Sequence, residues 1–244
     1  SVPGVKRMLP WLETALDLLF PRSCAGCGGP AGREFRFLCW ECMAGLRFIR
    51  PPFCDCCGDP LDGDVAGPWL CPACGSGREF ARARSAVRYV GVVRRLICDF
   101  KYRKATWLGP DLAALLEGSY RAHYEEMGVD AVTCVPLFSA RQRARTFNQA
   151  ELLARLLAAR LRLPFVGGAV SRVRDTGTQT HLTARARIAN VSAAFKAIRP
   201  GRLDGRTLLL VDDVMTTGAT VGECAAVIRA AGAAAVHVLT VARG

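Results

Sequence analysis

Residues 208–221 read Leu-Leu-Leu-Val-Asp-Asp-Val-Met-Thr-Thr-Gly-Ala-Thr-Val, an apolar run that meets two carboxylates and then a turn of small and hydroxyl residues. Thr207 to Val211 is a strand candidate apolar on both faces, while Thr220 to Ala231 carries Ala, Val and Ile at helical spacing. The predicted unit is strand, loop, helix. In the loop Thr216, Thr217, Gly218, Ala219 and Thr220 let backbone N–H groups at the helix start close around a phosphate, and the helix dipole adds to the attraction. Asp212 and Asp213 are expected at the carboxyl end of the strand, where open α/β sheets hold ligands and carboxylates accept hydrogen bonds from ribose hydroxyls. Gly232 caps the helix, and a strand candidate at Ala234 to Val241 completes a βαβ unit. The pattern reads as a sugar-phosphate site.

Leu210 to Val221 resembles the PRPP-binding signature of type I phosphoribosyltransferases. Leu19-Phe20-Pro21 followed by Cys24-Ala25-Gly26-Cys27-Gly28, the Lys101-Tyr102 pair, Phe147-Asn148-Gln149, and Arg187-Ile188-Ala189-Asn190-Val191 to Phe195 are similar to the ComF/ComFC family of double zinc ribbon, phosphoribosyltransferase-like proteins. The resemblance spans nearly the whole chain. It implies an α/β fold: a type I phosphoribosyltransferase-like parallel sheet flanked by helices, with a small N-terminal zinc-ribbon domain. It also implies PRPP or a ribose 5-phosphate-containing nucleotide as ligand, magnesium with PRPP, and a role in competence and DNA uptake or in nucleotide metabolism. The family usually has glycine where this chain has Thr146.

Four Cys-x-x-Cys pairs precede residue 76: Cys24/Cys27, Cys39/Cys42, Cys54/Cys57 and Cys71/Cys74. Tetrahedral zinc takes two such pairs, so eight thiolates suit two structural ions with no position open for water. Sequential pairing is the simplest, and crossed pairing stays open on spacing alone. A disulfide framework would need an oxidising compartment and a secretion signal. So short and loop-rich a segment is expected to fold only with its metal. Cys56 reads as a spare thiol, and Cys98, Cys134 and Cys224 as buried packing residues.

The predicted domains are 1–76, a double zinc ribbon with an N-terminal helix, and 77–244, the phosphoribosyltransferase-like unit. Met8 to Phe20 forms an apolar helical face interrupted by Glu13 and Asp17, which suits docking on protein better than lying on a membrane. No apolar stretch approaches the roughly 20 residues that span a bilayer, and no cleavage site follows the opening segment, so the expected location is the cytoplasm.

Beyond the boundary the expected elements are an apolar alternation at 86–93, helices at 93–102, 108–126 and 148–161, and strands at 131–135, 165–170 and 194–198. Val135-Pro136-Leu137 leads into a basic loop carrying Arg141, Arg143 and Arg145, on the same sheet edge as the acid pair and suited to a diphosphate. The polar run from Ser171 to Arg187 is expected to be mobile. Resemblance makes it a lid over the substrate, with Arg172, Arg174, Gln179 and Arg187 at family positions.

Lys plus Arg number 33 against 21 for Asp plus Glu, a net charge of +12, so the surface should attract polyanions. Arg82, Arg84, Arg88, Arg94, Arg95, Lys101, Arg103 and Lys104, interleaved with Tyr89, Phe100, Tyr102 and Trp107, form a candidate single-stranded DNA surface. Three readings follow. One is an enzyme that transfers phosphoribose from PRPP, with Asp212 and Asp213 at the reacting sugar. A second is a non-catalytic module that binds PRPP or nucleotide together with single-stranded DNA. A third uses the ribbons to dock a helicase or another competence partner.

Overall fold

The computed structural model describes residues 22–32, 35–61, 63, 65, 67–174 and 194–244. The opening helix expected at 8–20, and Gln179 and Arg187 of the expected lid, lie outside the described residues. By contacts the chain forms two compact units, Ser1–Gly45 and Leu46–Gly244.

The larger unit is built on a parallel sheet of four strands, β1 (Arg82–Arg88), β2 (Ala131–Cys134), β5 (Thr207–Met215) and β6 (Ala235–Arg243), in the order β1-β6-β5-β2. Strands β3 (Val170–Arg172) and β4 (Phe195–Ala197) form a separate antiparallel pair. The segment expected as a strand at 165–170 is shorter in the fold: Phe165 makes one parallel bridge to Val132, and extended pairing resumes only at Val170. Glycines 167 and 168 fall between them, and glycine inside a strand weakens it.

Leu208, Leu209, Leu210 and Val211 are fully buried because β5 is paired on both sides and covered on both faces, the setting that produces an unbroken apolar run. Helices α4 (Gly109–His123) and α6 (Gln149–Leu161) pack side by side over one face. Tyr124, just past α4, is buried and donates its hydroxyl to the Val238 carbonyl at 2.8 Å. Leu208 and Leu210 look the other way, toward Val221, Cys224 and Ile228 of α7 (Ala219–Ala230). After the short helices α1 (Trp40–Ala44) and α2 (Pro72–Gly75), helix α3 (Gly91–Tyr102) follows β1 and buries Val93, Leu96, Ile97 and Phe100.

The second cysteine set belongs to this same core. Cys54, Cys57, Cys71 and Cys74 cluster with Phe80, Ala83, Leu208, Met215 and Val238. Sequence grouping and packing therefore divide the chain at different points, since a two-ribbon segment ending near residue 76 contains one ribbon that packs with the sheet. Ala83 of β1 donates to the Cys56 carbonyl at 2.7 Å, and Arg243 at the end of β6 donates to the Cys57 carbonyl at 2.9 Å.

In each set the four sulfurs lie within 4.8 Å of one another: Cys24, Cys27, Cys39 and Cys42 in one, Cys54, Cys57, Cys71 and Cys74 in the other. This is the sequential pairing. Sulfurs about 3.8 Å apart surround a tetrahedral zinc with Zn–S bonds of about 2.3 Å, and Cys27–Cys39 and Cys57–Cys71 both measure 3.7 Å. Backbone amides already favour charge on these sulfurs, with Cys39 N donating to Cys24 Sγ at 3.2 Å and Cys71 N to Cys54 Sγ at 3.3 Å. Burial pushes the Cys24 and Cys54 thiols up, but those amides outweigh it and bring them down to about 6 and about 7. Cys42, Cys57 and Cys74 move the other way, chiefly through burial and further through neighbouring thiols of their own sets. Both sets fit structural zinc, and Cys56 stands outside them.

Of the three cysteines read as packing residues, Cys224 is fully buried, whereas Cys98 and Cys134 are partly accessible. Metal analysis of gently purified protein is expected to find about two zinc ions per chain. Because Cys57 sits in the sheet's own core, Cys57→Ser should lower the unfolding temperature of the large unit by several degrees. A variant that melts with the parent would show that this ribbon does not support the sheet.

Candidate functional site

The strands run parallel, so the carboxyl ends of β1, β2 and β5 open on one edge, and a cleft of about 350 Å³ lies there. This is the size range of small-ligand sites. Tyr89 follows β1, Val135 to Leu137 follow β2, and Asp212, Asp213 and Val214 come from β5. Lys101 and Tyr102 reach the cleft from α3, and Arg172 from β3.

Thr216 and Thr220 also line the cleft, and they share with Thr217, Gly218 and Ala219 a smaller hollow of about 30 Å³ at the start of α7. Gly218 makes the turn possible. Its φ is +80°, and a Cβ there would lie 3.2 Å from Met215 Cε. Thr217 Oγ1 accepts from Ala219 N at 3.4 Å, and the helix begins at once. The hollow thus opens at the N-terminus of a twelve-residue helix, beside Asp212.

The acids differ from expectation in one respect. Strand β5 does not stop before them; it continues to Met215, with Asp212 opposite Thr240 and Val214 opposite Ala242 of β6. The pair lies just past the last pairing with β2, at Val211, but still within the stretch of β5 that pairs with β6. Asp213 is consequently buried and held by Lys101, Nζ to Oδ1 2.8 Å, with side chains only 16% and 6% exposed. Its Oδ2 has no hydrogen-bond partner among the described residues. Asp212 is half-buried, and its Oδ1 accepts from Asp213 N at 2.8 Å.

Burial, then the charge of Asp213, pushes Asp212 up to about 7, against the opposing pull of Lys101, the Asp213 amide and Arg172. Burial alone would lower Lys101, yet Asp213 and Asp212 outweigh it and hold the ammonium above the ordinary lysine range. Since the folded state binds a proton at Asp212 more tightly than the unfolded chain does, this group favours folding most in acid. That contribution is lost as pH rises through about 7.

The arginines separate by position. The segment expected as a basic loop is a short helix, α5 (Ser139–Arg145), since Ala, Arg and Gln are good helix formers. Arg141 and Arg145, four apart, line the cleft, while Arg143 is exposed and not among the lining residues. Arg145 also lies over the Tyr102 ring at 4.9 Å. Arg172 lines the cleft and Arg174 is exposed on the chain just beyond β3. Thr146, in the family's glycine position, takes φ +70°, a left-handed conformation that a β-branched residue seldom adopts. Asn148 closes the loop: it donates to Val135 O at 3.2 Å and accepts from Ala150 N at 3.0 Å to cap α6.

Lys101 is the side chain in the cleft that the acid-pair reading overlooked. The available signal was a lysine four residues after Ile97 and directly after Phe100, on the inner side of an otherwise apolar helical face. The basic surface also needs correction. Arg84 is 4% exposed, donating to Asp55 O at 3.0 Å and stacked 4.4 Å from Phe53, and Phe100 is fully buried. Arg88, Arg94, Arg95, Arg103 and Lys104 remain exposed, with Tyr102 64% and Trp107 47% exposed among them.

Breaking a buried ion pair leaves the surviving charge uncompensated, at a cost of about 3–5 kcal/mol. Lys101→Met and Asp213→Asn should each destabilise the large unit on that scale in denaturant unfolding, and the double variant by clearly less than the sum. Strict additivity would show that the two charges are not coupled.

Residues 15–75 match the double zinc ribbon domain family and residues 148–244 the phosphoribosyl transferase domain family. The chain is 33% identical to DNA utilization protein YhgH of Salmonella typhi, covering 84% of this chain and 96% of that protein. It is 31% identical to competence protein F of Haemophilus influenzae over 90% of this chain and 96% of that one. Among solved structures, glutamine phosphoribosylpyrophosphate amidotransferase from B. subtilis aligns at TM-score 0.37 and 22% identity, over 54% of this chain and 25% of that chain. With about a third of its residues shared along nearly the full length of these relatives, and both domain types in the same order, the chain belongs to the ComF family of double zinc ribbon, phosphoribosyltransferase-like proteins.

Proposed function

We propose that the cleft binds PRPP and that the chain acts as a phosphoribosyltransferase. One observation carries the reading: a small hollow in the turn at a helix start shares Asp212, Thr216 and Thr220 with a larger cleft that Arg141, Arg145 and Arg172 also line. The 5′-phosphate belongs in the turn Thr216–Thr220, where amides and hydroxyls donate to it. The ribose then lies over Asp212, whose carboxylate accepts from its hydroxyls. Asp213, already held by Lys101, keeps Asp212 in place and adds negative potential beneath the sugar.

The diphosphate extends toward Arg141, Arg145 and Arg172. Arg143, Arg174, Gln179 and Arg187 belong to the same proposal as members of the diphosphate loop and lid. Magnesium, when bound with PRPP, shields the diphosphate charge. In the transfer the C1–O bond to diphosphate breaks, positive charge builds on the ribose ring near the acid pair, and the acceptor's lone pair closes the new bond at C1. Diphosphate leaves with the electron pair.

A second reading is favoured by the exposed basic and aromatic residues of α3 and the chain after it. Tyr102 both lines the cleft and is exposed beside Arg103 and Lys104, so a single strand stacked there would run past the mouth of the site. The names of the relatives, competence protein F and DNA utilization protein YhgH, support a role in handling DNA taken up by the cell. Calorimetry with magnesium and PRPP, followed by product assays across purines, pyrimidines, ammonia and nicotinate-like acceptors, separates the two. Turnover with any acceptor supports the enzyme; tight PRPP binding without turnover, joined to salt-sensitive single-strand binding, supports the module.

Asp212→Asn should weaken PRPP binding roughly tenfold or more, because hydrogen bonds to a charged group contribute about 1.5–3 kcal/mol. An unchanged affinity would remove Asp212 from the ribose. The same carboxylate must be ionised to accept two hydroxyls, and it titrates near 7. PRPP affinity should therefore rise from pH 6 to pH 8, and binding at pH 6.5 should release protons in calorimetry repeated in two buffers of different ionisation enthalpy. A smaller slope in Asp212→Asn, where the ligand's phosphates still titrate at about 6, would tie the difference to this residue, and equal slopes in both proteins would detach it.

A further inference from the structure

Arg172 reaches the cleft from outside the parallel sheet. Its strand, β3, pairs with β4, with Val170 opposite Ala197, Ser171 opposite Lys196 and Arg172 opposite Phe195. Directly opposed residues of an antiparallel pair share a face, and the Arg172 guanidinium lies 5.5 Å from the centre of the Phe195 ring, within cation–π range. The position of this strand pair therefore sets where the guanidinium can reach.

At its entry the segment is tied to β2. Val166 N donates to Val132 O at 2.8 Å, and Thr133 Oγ1 donates to Val166 O at 2.8 Å. At its exit the tie comes from α7. Val173 N donates to Ala194 O at 2.7 Å, which extends the ladder by one step, and Ala194 N donates to Glu223 Oε1 at 2.6 Å. Ala194 and Phe195 are buried in the same core as Val221, Cys224 and Ala225, so this bond sits beside a packed contact between α7 and the strand pair.

Glu223 stands one turn into α7, about 6 Å along the axis from its first residue, Ala219. The helix that opens with the small hollow at Thr216–Thr220 thus grips, one turn later, the strand pair that carries Arg172. The second carboxylate oxygen, Oε2, is buried with no hydrogen-bond partner among the described residues. Burying a carboxylate with one oxygen unsatisfied is unfavourable, and packing alone would favour an apolar residue at this position.

We propose that Glu223 is a positioning residue that fixes Arg172 relative to the phosphate turn, and so sets the separation at which a pentose 5-phosphate carrying a diphosphate at C1 is held at both ends. The proposal rests on the reading of that turn as the 5′-phosphate site and of Arg172 as a diphosphate ligand. It adds the element that measures one against the other. Removing Glu223 should leave the turn itself intact, so the loss should fall on ligands that need both ends.

The test uses the full zinc-loaded chain and calorimetry with two probes, magnesium PRPP and ribose 5-phosphate, which lacks the diphosphate. Glu223→Ala should bind PRPP about tenfold more weakly, while its affinity for ribose 5-phosphate stays within about twofold of the parent. Glu223→Gln keeps an oxygen to accept from Ala194 N and should bind PRPP within a few-fold of the parent. Arg172→Met should also weaken PRPP binding, and adding Glu223→Ala to it should cost little more, because the two residues act as one unit. If Glu223→Ala does not fold, Glu223→Asp takes its place under the same readings, its carboxylate falling one methylene short of Ala194 N.

Parent-like PRPP affinity in Glu223→Ala or in Arg172→Met, equal losses for the two probes, or losses that add in full in the double variant would overturn the positioning role and leave PRPP binding by the cleft intact. A parent chain that binds neither probe would overturn the PRPP reading and the positioning role with it.

Discussion

Strand β5 is paired on both edges and covered on both faces, and this constraint organises the rest of the large unit. An interior strand of this kind admits only apolar residues along most of its length, and Leu208 to Val211 obey it. Carboxylates are tolerated farther along the same strand only where the layers part. There the sheet edge opens, α3 supplies Lys101, and the acid pair meets both a counter-charge and the cleft. The edge that carries the cleft is thus where the charge on β5 is compensated.

The electrostatics of that edge follow from crowding. Two adjacent carboxylates cannot both lose their water without raising the cost of the second charge, and the structure divides the cost unequally. Asp213 is buried and neutralised by Lys101, while Asp212 stays half-accessible and titrates near 7. One acid becomes a structural ion-pair member and the other is left available to a ligand. The arginines of α5 and β3 that line the same cleft offset the negative charge of the acids.

Much of this was legible in the residues themselves. Continuous apolar runs at 207–211 and 131–135, the helical spacing at 220–231, and the four cysteine pairs give the sheet, its flanking helix and the metal sets, because each is decided by local periodicity or ligand spacing. What periodicity does not carry is long-range compensation. Asp213 reads as a strand end because a charge normally stops a strand, and its burial depends on Lys101, more than a hundred positions earlier. Arg84 reads as surface because of its charge; it is buried because Phe53 and Asp55 of the second ribbon cover it. In both cases the partner comes from another segment, and no window of sequence contains the pair.

Helix α5 shows the same limit on a smaller scale. Three arginines in seven residues carry no apolar stripe, so the segment reads as loop, yet it is helical, with Gln142 N donating to Phe138 O at 2.9 Å. At one end Asn148 binds Val135 O and caps α6, which stitches the exit of β2 to the start of the next helix. Between them the chain must reverse direction at Thr146, in a left-handed conformation that costs about 1–2 kcal/mol for a residue with a Cβ. The cap contributes about 1 kcal/mol in return. The reversal directly follows α5, whose Arg141 and Arg145 line the cleft. A glycine there would adopt the same positive φ without the steric cost of a Cβ.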